Sequence, residues 1–372
     1  MSNINTGGSG SNNTDKKSYL TFTALEDNCM LGFYHNPDSP ITPTIEYSFD
    51  NINWNVLTED KVTVQKDTNI YCRGINPNGI SIEVPIEIDT FDTDTLNNLI
   101  AGWAYNYFIG DGKFNVSGDI MSLIDYNTMP DVMVGSMCFL FGHANLPGES
   151  FNIIDIIDAS GLILSAKVLT RLCYGGIFAA CLNLTNAPKL PATTLTEGCY
   201  MGMFIGCTSL TKAPELPATT LKRLCYGGIF AACSNLTNAP ELPATTLANG
   251  CYQYMFIGCT GLTTAPELPA TTLAEGCYYG MFYLCTSLTN APEKLPATTL
   301  ADSCYTFMFS NCTSLTTAPE LPATTLADYC YQWMFDGCKS LNTITCLATD
   351  ISAESCTSSW VEGVSSGGTF YK

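Results

Sequence analysis

The chain has 372 residues, more than a single compact core usually contains, so two or three structural units are expected. Its 34 acidic and 15 basic side chains give a formal net charge of -19, which disfavours nucleic acid and anionic membranes as partners because an acidic surface repels phosphate. Only 13% of the residues are charged and 46% are hydrophobic, a composition that is typical of a folded protein.

Residues 1–17 are rich in Gly, Ser and Asn, and we expect a flexible polar segment there. This segment lacks the apolar stretch of a signal peptide, and the chain has no run of about 18 apolar residues, so neither a cleaved export signal nor membrane insertion is predicted. Residues 18–117 contain runs that alternate at period two: YLTFTAL, TIEYSF, KVTV and ISIEVPIEI. This alternation predicts a small antiparallel β domain.

A tandem repeat follows. Residues 118–163 are interpreted as its N-terminal cap, because the run MCFLFGHANL resembles a degraded repeat. In residues 164–341 the dipeptide Cys-Tyr recurs seven times at steps of 26, with one step of 27. Periods of this length indicate stacked units. Residues 342–372 are interpreted as the C-terminal cap, in which Trp360 and Val361 are expected to close the last open face.

Each unit reads like LPATTLAEGCYYGMFYLCTSLTNAPE, which begins at Leu268. Its apolar residues lie about four positions apart, which predicts a helix, with Thr271 or Thr272 as the N-cap. The segment SLTNAPE that follows predicts a short strand. We therefore expect a mixed α/β repeat, a leucine-rich-repeat-like solenoid preceded by a small antiparallel β domain. The apolar stripe of the expected helix comprises Leu273, Cys277, Met281, Phe282 and Cys285.

The 19 cysteines allow a disulfide framework, metal sites or buried free thiols. No C-x-x-C occurs, and fourteen of the cysteines recur as C-x7-C within the repeat. On a helix this spacing separates the two residues by about 12 Å, beyond the reach of a disulfide. We therefore expect buried free thiols, which implies folding in a reducing compartment.

The motif LPATTLAxxCYxxMFxxCTSLTxAPE resembles the BspA-like class of leucine-rich repeats, which occurs in gut-dwelling bacteria and their tailed phages. SYLTFTALEDN, IEYSFDNINWNVL and GKFNVSGDIMSL are similar to the β domain that precedes such arrays, and ITCLATDISAESCTSSWVEGVSSGGTF is similar to their usual end. The resemblance covers most of the chain. It implies surface adhesion and recognition, by cell-surface proteins in bacteria and by virion-attached proteins in phages.

A glutamate recurs at one position of successive units, with Lys189 at the start of the row. Stacked like charges repel unless water, a cation or a basic partner lies between them. The row is expected to prevent edge-to-edge pairing of an exposed sheet, and the alternative is a row that binds cations or a partner. Its members are Glu215, Glu241, Glu267, Glu293 and Glu320.

The two residues between Cys-Tyr and Met-Phe vary most among the units, and aromatic residues appear there only in the C-terminal half of the array. Exposed aromatic side chains in a row suit sugar faces or protein hot spots. The alternative is that they pack on neighbouring units. The candidate residues are Tyr254, Tyr279, Phe307 and Trp333.

No catalytic, cofactor or metal site is predicted. His35 and His143 both lie outside the repeats, and the G-x-S-x-G match at residues 363–367 lies in a Gly/Ser tail without a strand–turn–helix context. DTFDTDT, with Asp89 and Asp94, could hold calcium but lacks the loop glycine and final glutamate of an EF-hand, so a solvated acidic turn is expected.

These features predict a non-catalytic virion protein of a tailed phage: a fibre, a head decoration or a tail-associated adhesin. Its N-terminal region would contact other virion proteins, and its array would contact a host surface protein or glycan. The missing export signal and the free thiols favour a virion protein, which is assembled in a reducing cytoplasm and released by lysis. The alternatives are a bacterial cell-surface adhesin of the same repeat class and, less in keeping with the residues, an enzyme on a repeat scaffold. A homo-oligomer is compatible with the sequence but not required by it.

Overall fold

The structure is a computed structural model, and it describes residues 18–82, 105–142, 154–367 and 369–371. Two sheets and a short helix precede the repeats. The first strands are β1 (Leu20–Ala24), β2 (Cys29–Tyr34), β3 (Ile45–Ser48), β4 (Asn55–Val56), β5 (Val62–Val64) and β6 (Asn69–Gly74). They are followed by β7 (Tyr107–Asp111), β8 (Lys113–Asp119), the helix α1 (Ser122–Asp125) and β9 (Asp155–Ile163).

The larger sheet has the strand order β4-β3-β6-β1-β8-β9, and the smaller one has the order β5-β2-β7. The described strands β1 to β8 pair with one another only in the antiparallel sense, but the larger sheet is mixed, because β8 also pairs in parallel with β9, which lies in the region expected to form the cap. Aromatic side chains fill the core of this region: the ring centroid of Phe22 lies 4.8 Å from that of Phe108 and 5.9 Å from that of Phe141. Phe141 in turn lies 5.4 Å from Phe178 of the first repeat, so the core continues into the array.

Two ladders of buried aromatic rings run through the repeats. In one, the tyrosine that follows the first cysteine of each unit stacks on its equivalent in the next unit, as Tyr226 does on Tyr252 with 6.0 Å between ring centroids. In the other, the phenylalanines stack in the same way, as Phe230 does on Phe256 at 5.7 Å. Equivalent residues therefore lie over one another, and units one period apart share a continuous core.

Left-handed backbone turns, and not helices, form the Cys-rich half of each unit. In one such half, residues 197–206, every fourth residue has a positive φ: 60° at Gly198, 60° at Gly202 and 72° at Gly206. Alternate amides bond within the unit, as Met201 N does to Gly198 O at 2.9 Å. The amides between them bond to the next unit, as Tyr200 N does to Cys225 O at 3.1 Å.

The predicted mixed α/β, leucine-rich-repeat-like solenoid is therefore wrong. Across the described residues the structure has one short α-helix, Ser122–Asp125, which lies before the repeats. A turn that places a left-handed residue at every fourth position also buries side chains at every fourth position, so the apolar step of four arises without helical i to i−4 bonds.

The other half of each unit also differs from its prediction. Thr272 is not a helix N-cap, because it forms an isolated parallel bridge with Thr246 of the preceding unit. The SLTNAPE segment is not an extended strand, and Asn290 pairs with Thr264 by a single bridge. Only at the end of the array do two short strands pair in parallel, β10 (Thr343–Thr345) and β11 (Thr369–Tyr371).

Both ends of the array are divergent units. At the start, Phe139 N donates to Gly175 O and Phe141 N to Ile177 O, the pattern that regular units follow. At the end, Trp360 lies over the last tyrosine, Tyr331, with 6.1 Å between ring centroids and 19° between planes. The indole thus covers the end of the tyrosine ladder.

Candidate binding edge of the repeat array

The aromatic residues singled out in the sequence form one continuous row along an edge of the array. The centroid of Tyr279 lies 5.3 Å from that of Tyr254 and 5.7 Å from that of Phe307, both in edge-to-face geometry. Phe307 then stacks on Trp333 at 4.6 Å and 16°. All four side chains are half-buried. We call these four residues the aromatic row.

Three members of the aromatic row occupy backbone positions that favour glycine. The φ angle is 54° at Tyr254, 56° at Phe307 and 51° at Trp333. A positive φ is uncommon in residues other than glycine, and for a bulky side chain it costs about 1–2 kcal/mol. Other units have glycine at the equivalent position, namely Gly176, Gly202, Gly228 and Gly280.

A groove of about 560 Å³ opens beside the aromatic row, at the boundary between the middle units. Tyr254 and Tyr279 are its aromatic lining residues, and the amide side chain of Gln253 lines it as well. Its volume falls within the range of about 300–1,000 Å³ that is usual for small-molecule sites. The remaining lining residues are Arg223, Leu224, Asn249, Gly250, Glu275, Gly276 and Ser303.

The groove lies where two successive units have glycine, Gly250 and Gly276, at the position before the first cysteine. At the position before the first cysteine, Leu224 covers Gly250: a Cβ added to Gly250 would lie 2.8 Å from Leu224 Cδ2. The next unit has Gly276 there, and a Cβ added to Gly276 would meet only Tyr279 Cβ, at 3.9 Å. The space that a leucine fills elsewhere is therefore open at Gly276.

Charged side chains line the same edge, and their sign changes along the array. Glu197 accepts hydrogen bonds from Arg171 at 3.2 Å and from Arg223 at 3.3 Å. These residues lie two positions before the first cysteine of each unit, and Asn249 occupies this position in the next unit, where its side-chain amide lies 3.5 Å from Glu275 Oε2. In the units after Asn249 this position is always acidic. Sequence reasoning missed this row, although the exchange of Arg, Glu and Asn two residues before a constant cysteine was a visible signal. The acidic members are Glu275, Asp302, Asp328 and Glu354.

The predicted glutamate row lies on a different part of each unit, and all five of its side chains are exposed. The register of the row changes at its last member. Glu320 forms its bridge with Lys294, the extra residue of the 27-residue step, while the Glu320 amide donates to the Glu293 carbonyl at 3.0 Å. Glu320 therefore lies beside both a lysine and a glutamate of the preceding unit.

All cysteines are free, and all are buried. The second thiol of a unit donates to the phenylalanine carbonyl of the preceding unit, as Cys207 Sγ does to Phe178 O at 3.2 Å and Cys338 Sγ to Phe309 O at 3.0 Å. Burial raises the pKa of these thiols, to about 12 for Cys233 and Cys285. A protonated thiol in an apolar core is a poor nucleophile and a poor metal ligand.

The residues considered for catalysis in the sequence have ordinary structural surroundings where they are described. His35 Nδ1 shares a 2.8 Å hydrogen bond with Asn106 Oδ1. The Ser365 amide donates to Leu341 O, and no helix follows it within the described residues. Within residues 18–82, 105–142 and 154–367, no three His, Cys, Asp or Glu side chains are placed to hold a metal ion, and no helix there could span a bilayer. His143 and the acidic run from Asp89 to Asp94 lie outside the described residues.

Comparison with known proteins found no match among protein-family models, curated proteins or solved structures.

Proposed function

We propose that this chain is a non-catalytic structural and adhesion protein of a tailed-phage virion, and that its repeat array recognises the host surface through the aromatic row. The observation that carries the proposal is the presence of Tyr254, Phe307 and Trp333 at left-handed positions where other units have glycine. Aromatic side chains dominate binding hot spots, and these three side chains replace the glycine of other units at a half-buried edge.

The virion assignment rests on different support. The CYxxMFxxC motif resembles repeats found in gut bacteria and their phages, and the buried free thiols suit assembly in a reducing compartment. The N-terminal region would attach the chain to other virion proteins, and the array would contact a host surface protein or glycan. A bacterial cell-surface adhesin is the second candidate, since the resemblance extends to such proteins.

The two candidates differ in where the chain is found. Mass spectrometry of purified phage particles and of bacterial envelope fractions should detect it in particles. Its absence from every particle preparation, together with its presence in envelopes, would favour the bacterial adhesin.

Recognition by the aromatic row can be tested on the full-length protein with fluorescently labelled chain and intact host cells. Phe307→Gly and Trp333→Gly introduce the residue that other units carry, so the turn geometry is preserved. Each should weaken cell binding by at least about tenfold, as loss of a hot-spot residue does. Phe49→Ala removes an exposed aromatic ring from the β region and should leave binding unchanged. Equal binding by all variants would contradict the role of the aromatic row.

A further inference from the structure

We propose that the groove between Tyr254 and Tyr279 is a saccharide subsite that binds a neutral pyranose ring of a host glycan. This inference rests on the proposed function and makes it more specific. The groove has a volume of about 560 Å³, which exceeds the space left by one missing side chain. A ligand of more than one sugar ring can enter it.

The chemistry of the lining fits a ligand that is polar at its edge and apolar on its faces. Tyr254 and Tyr279 stand edge to face, with 78° between their ring planes, and provide apolar surface for the C–H face of a sugar. Planar groups surround them: the amides of Asn249 and Gln253 and the carboxylate of Glu275. Such groups can accept from one hydroxyl and, for the amides, donate to its neighbour.

The charges of the groove favour a neutral ligand. Arg223 and Glu275 are its charged lining residues, and their formal charges cancel. Arg223 is also bound to Glu197 at 3.3 Å, which further reduces its attraction for an anion. The acidic residues that would draw a cationic peptide, Asp302 and Asp328, do not line the groove. A neutral polyhydroxylated ligand is therefore favoured over a phosphate or a basic segment.

The sequence offers a variant that closes the groove with little change to the backbone. Gly276 has a φ of 57°, and Leu172 and Leu224 occupy the equivalent position of other units with a φ of 53°. Gly276→Leu therefore places in this unit a side chain that the same turn already carries twice. Ser355→Leu makes the same kind of change at the equivalent position of the last unit, where φ is 48°, and serves as the matched control.

The test uses the full-length chain on an array of neutral and anionic oligosaccharides, followed by calorimetric titration with the neutral oligosaccharide that gives the strongest signal. Gly276→Leu should weaken that binding by at least about tenfold, and Ser355→Leu should leave it within about twofold. Glu275→Gln, which keeps the size of the side chain, should weaken it as well. Asp302→Asn, at the equivalent position of the next unit and outside the groove lining, should not. The Gln variant keeps the test decisive if Gly276→Leu fails to fold.

The outcomes separate this inference from the proposed function. If the chain binds host cells but no neutral oligosaccharide, or binds one equally well with leucine at 276, the groove is not a saccharide site and the adhesion proposal stands. If cell binding is instead competed by a host protein and not by sugars, the aromatic row recognises protein and the saccharide inference is wrong. If the chain binds neither cells nor sugars, both proposals fall.

Discussion

Raising the pH from 7 to about 9 should strongly destabilise this chain, because its core requires protonated thiols. Burial raises the pKa of sixteen cysteines: Cys72, Cys138, Cys173, Cys181, Cys199, Cys207, Cys225, Cys233, Cys251, Cys259, Cys277, Cys285, Cys304, Cys312, Cys330 and Cys338. Since the folded pKa lies above the unfolded value, the contribution to stability is complete below the unfolded pKa and is lost as the pH rises through and beyond it.

The size of the effect follows from the number of thiols. An unfolded cysteine has a pKa of about 8.5, so at pH 8.5 the unfolded state gains about RT ln 2 per thiol, or about 6 kcal/mol for sixteen. At pH 9 the same linkage gives about 13 kcal/mol. Domains are typically stable by only about 5–15 kcal/mol, so this loss is comparable with the folding free energy of a whole domain.

Urea unfolding at pH 7, 8 and 9 under reducing conditions, followed by tryptophan fluorescence, measures the effect. High salt in the buffer screens the net charge of -19, so that general repulsion does not mimic the effect. Tyrosine and lysine titrate at about 10 or above, so thiols dominate this pH window. The urea midpoint should fall steeply with an unchanged m-value. A midpoint that stays constant from pH 7 to 9, or rapid labelling of the native thiols by a disulfide reagent at pH 8, would refute the buried protonated core.

Two further predictions concern the aromatic ladders. The hydroxyl of Tyr226 is buried without a hydrogen-bond partner. Tyr226→Phe should therefore raise the free energy of unfolding, measured by urea titration, by about 1–3 kcal/mol. A lower free energy of unfolding in the variant would contradict this and show that a bound water serves the hydroxyl. Phe256 is fully buried, and its ring centroid lies 5.7 Å from that of Phe230 and 5.6 Å from that of Phe282. Phe256→Ala should therefore lower the free energy of unfolding by about 3–5 kcal/mol in the same assay. Phe49→Ala, at an exposed site, should lower it by less than about 0.5 kcal/mol.

The period of the repeat and its buried positions could be predicted from the sequence, but the backbone that buries them could not. Cys277, Phe282 and Cys285 were expected in the core, and all three are fully buried. The helix was wrong because a step of four was interpreted as an imperfect step of 3.6. The glycines carried the missing signal: Gly198 and Gly202 recur four residues apart, and glycine is unfavourable inside a helix but suited to left-handed turns.

The groove could not be predicted for a different reason. It depends on what successive units lack at one position, and Gly276 becomes an opening only because it lies next to Gly250 in the stack. Tyr254 and Tyr279 could be singled out because the units of one chain can be compared with each other. The two residues between Cys-Tyr and Met-Phe vary among the units, while the residues around them change little. The pairing of these rings with Arg223 and Glu275 requires the register between units, which the wrong helix obscured.

The spacing of the two buried ladders does not depend on the aromatic row. Where glycine occupies the left-handed position, the buried ladders have ring spacings of 6.0 Å between Tyr200 and Tyr226 and 5.8 Å between Phe204 and Phe230. Where Phe307 and Trp333 occupy it, the corresponding spacings are 6.1 Å and 5.7 Å. Because glycine gives the same ring spacing without the backbone cost, the two buried ladders do not require aromatic residues at these sites. We therefore propose that a ligand contacts these half-buried rings, and we place recognition in the row and its groove.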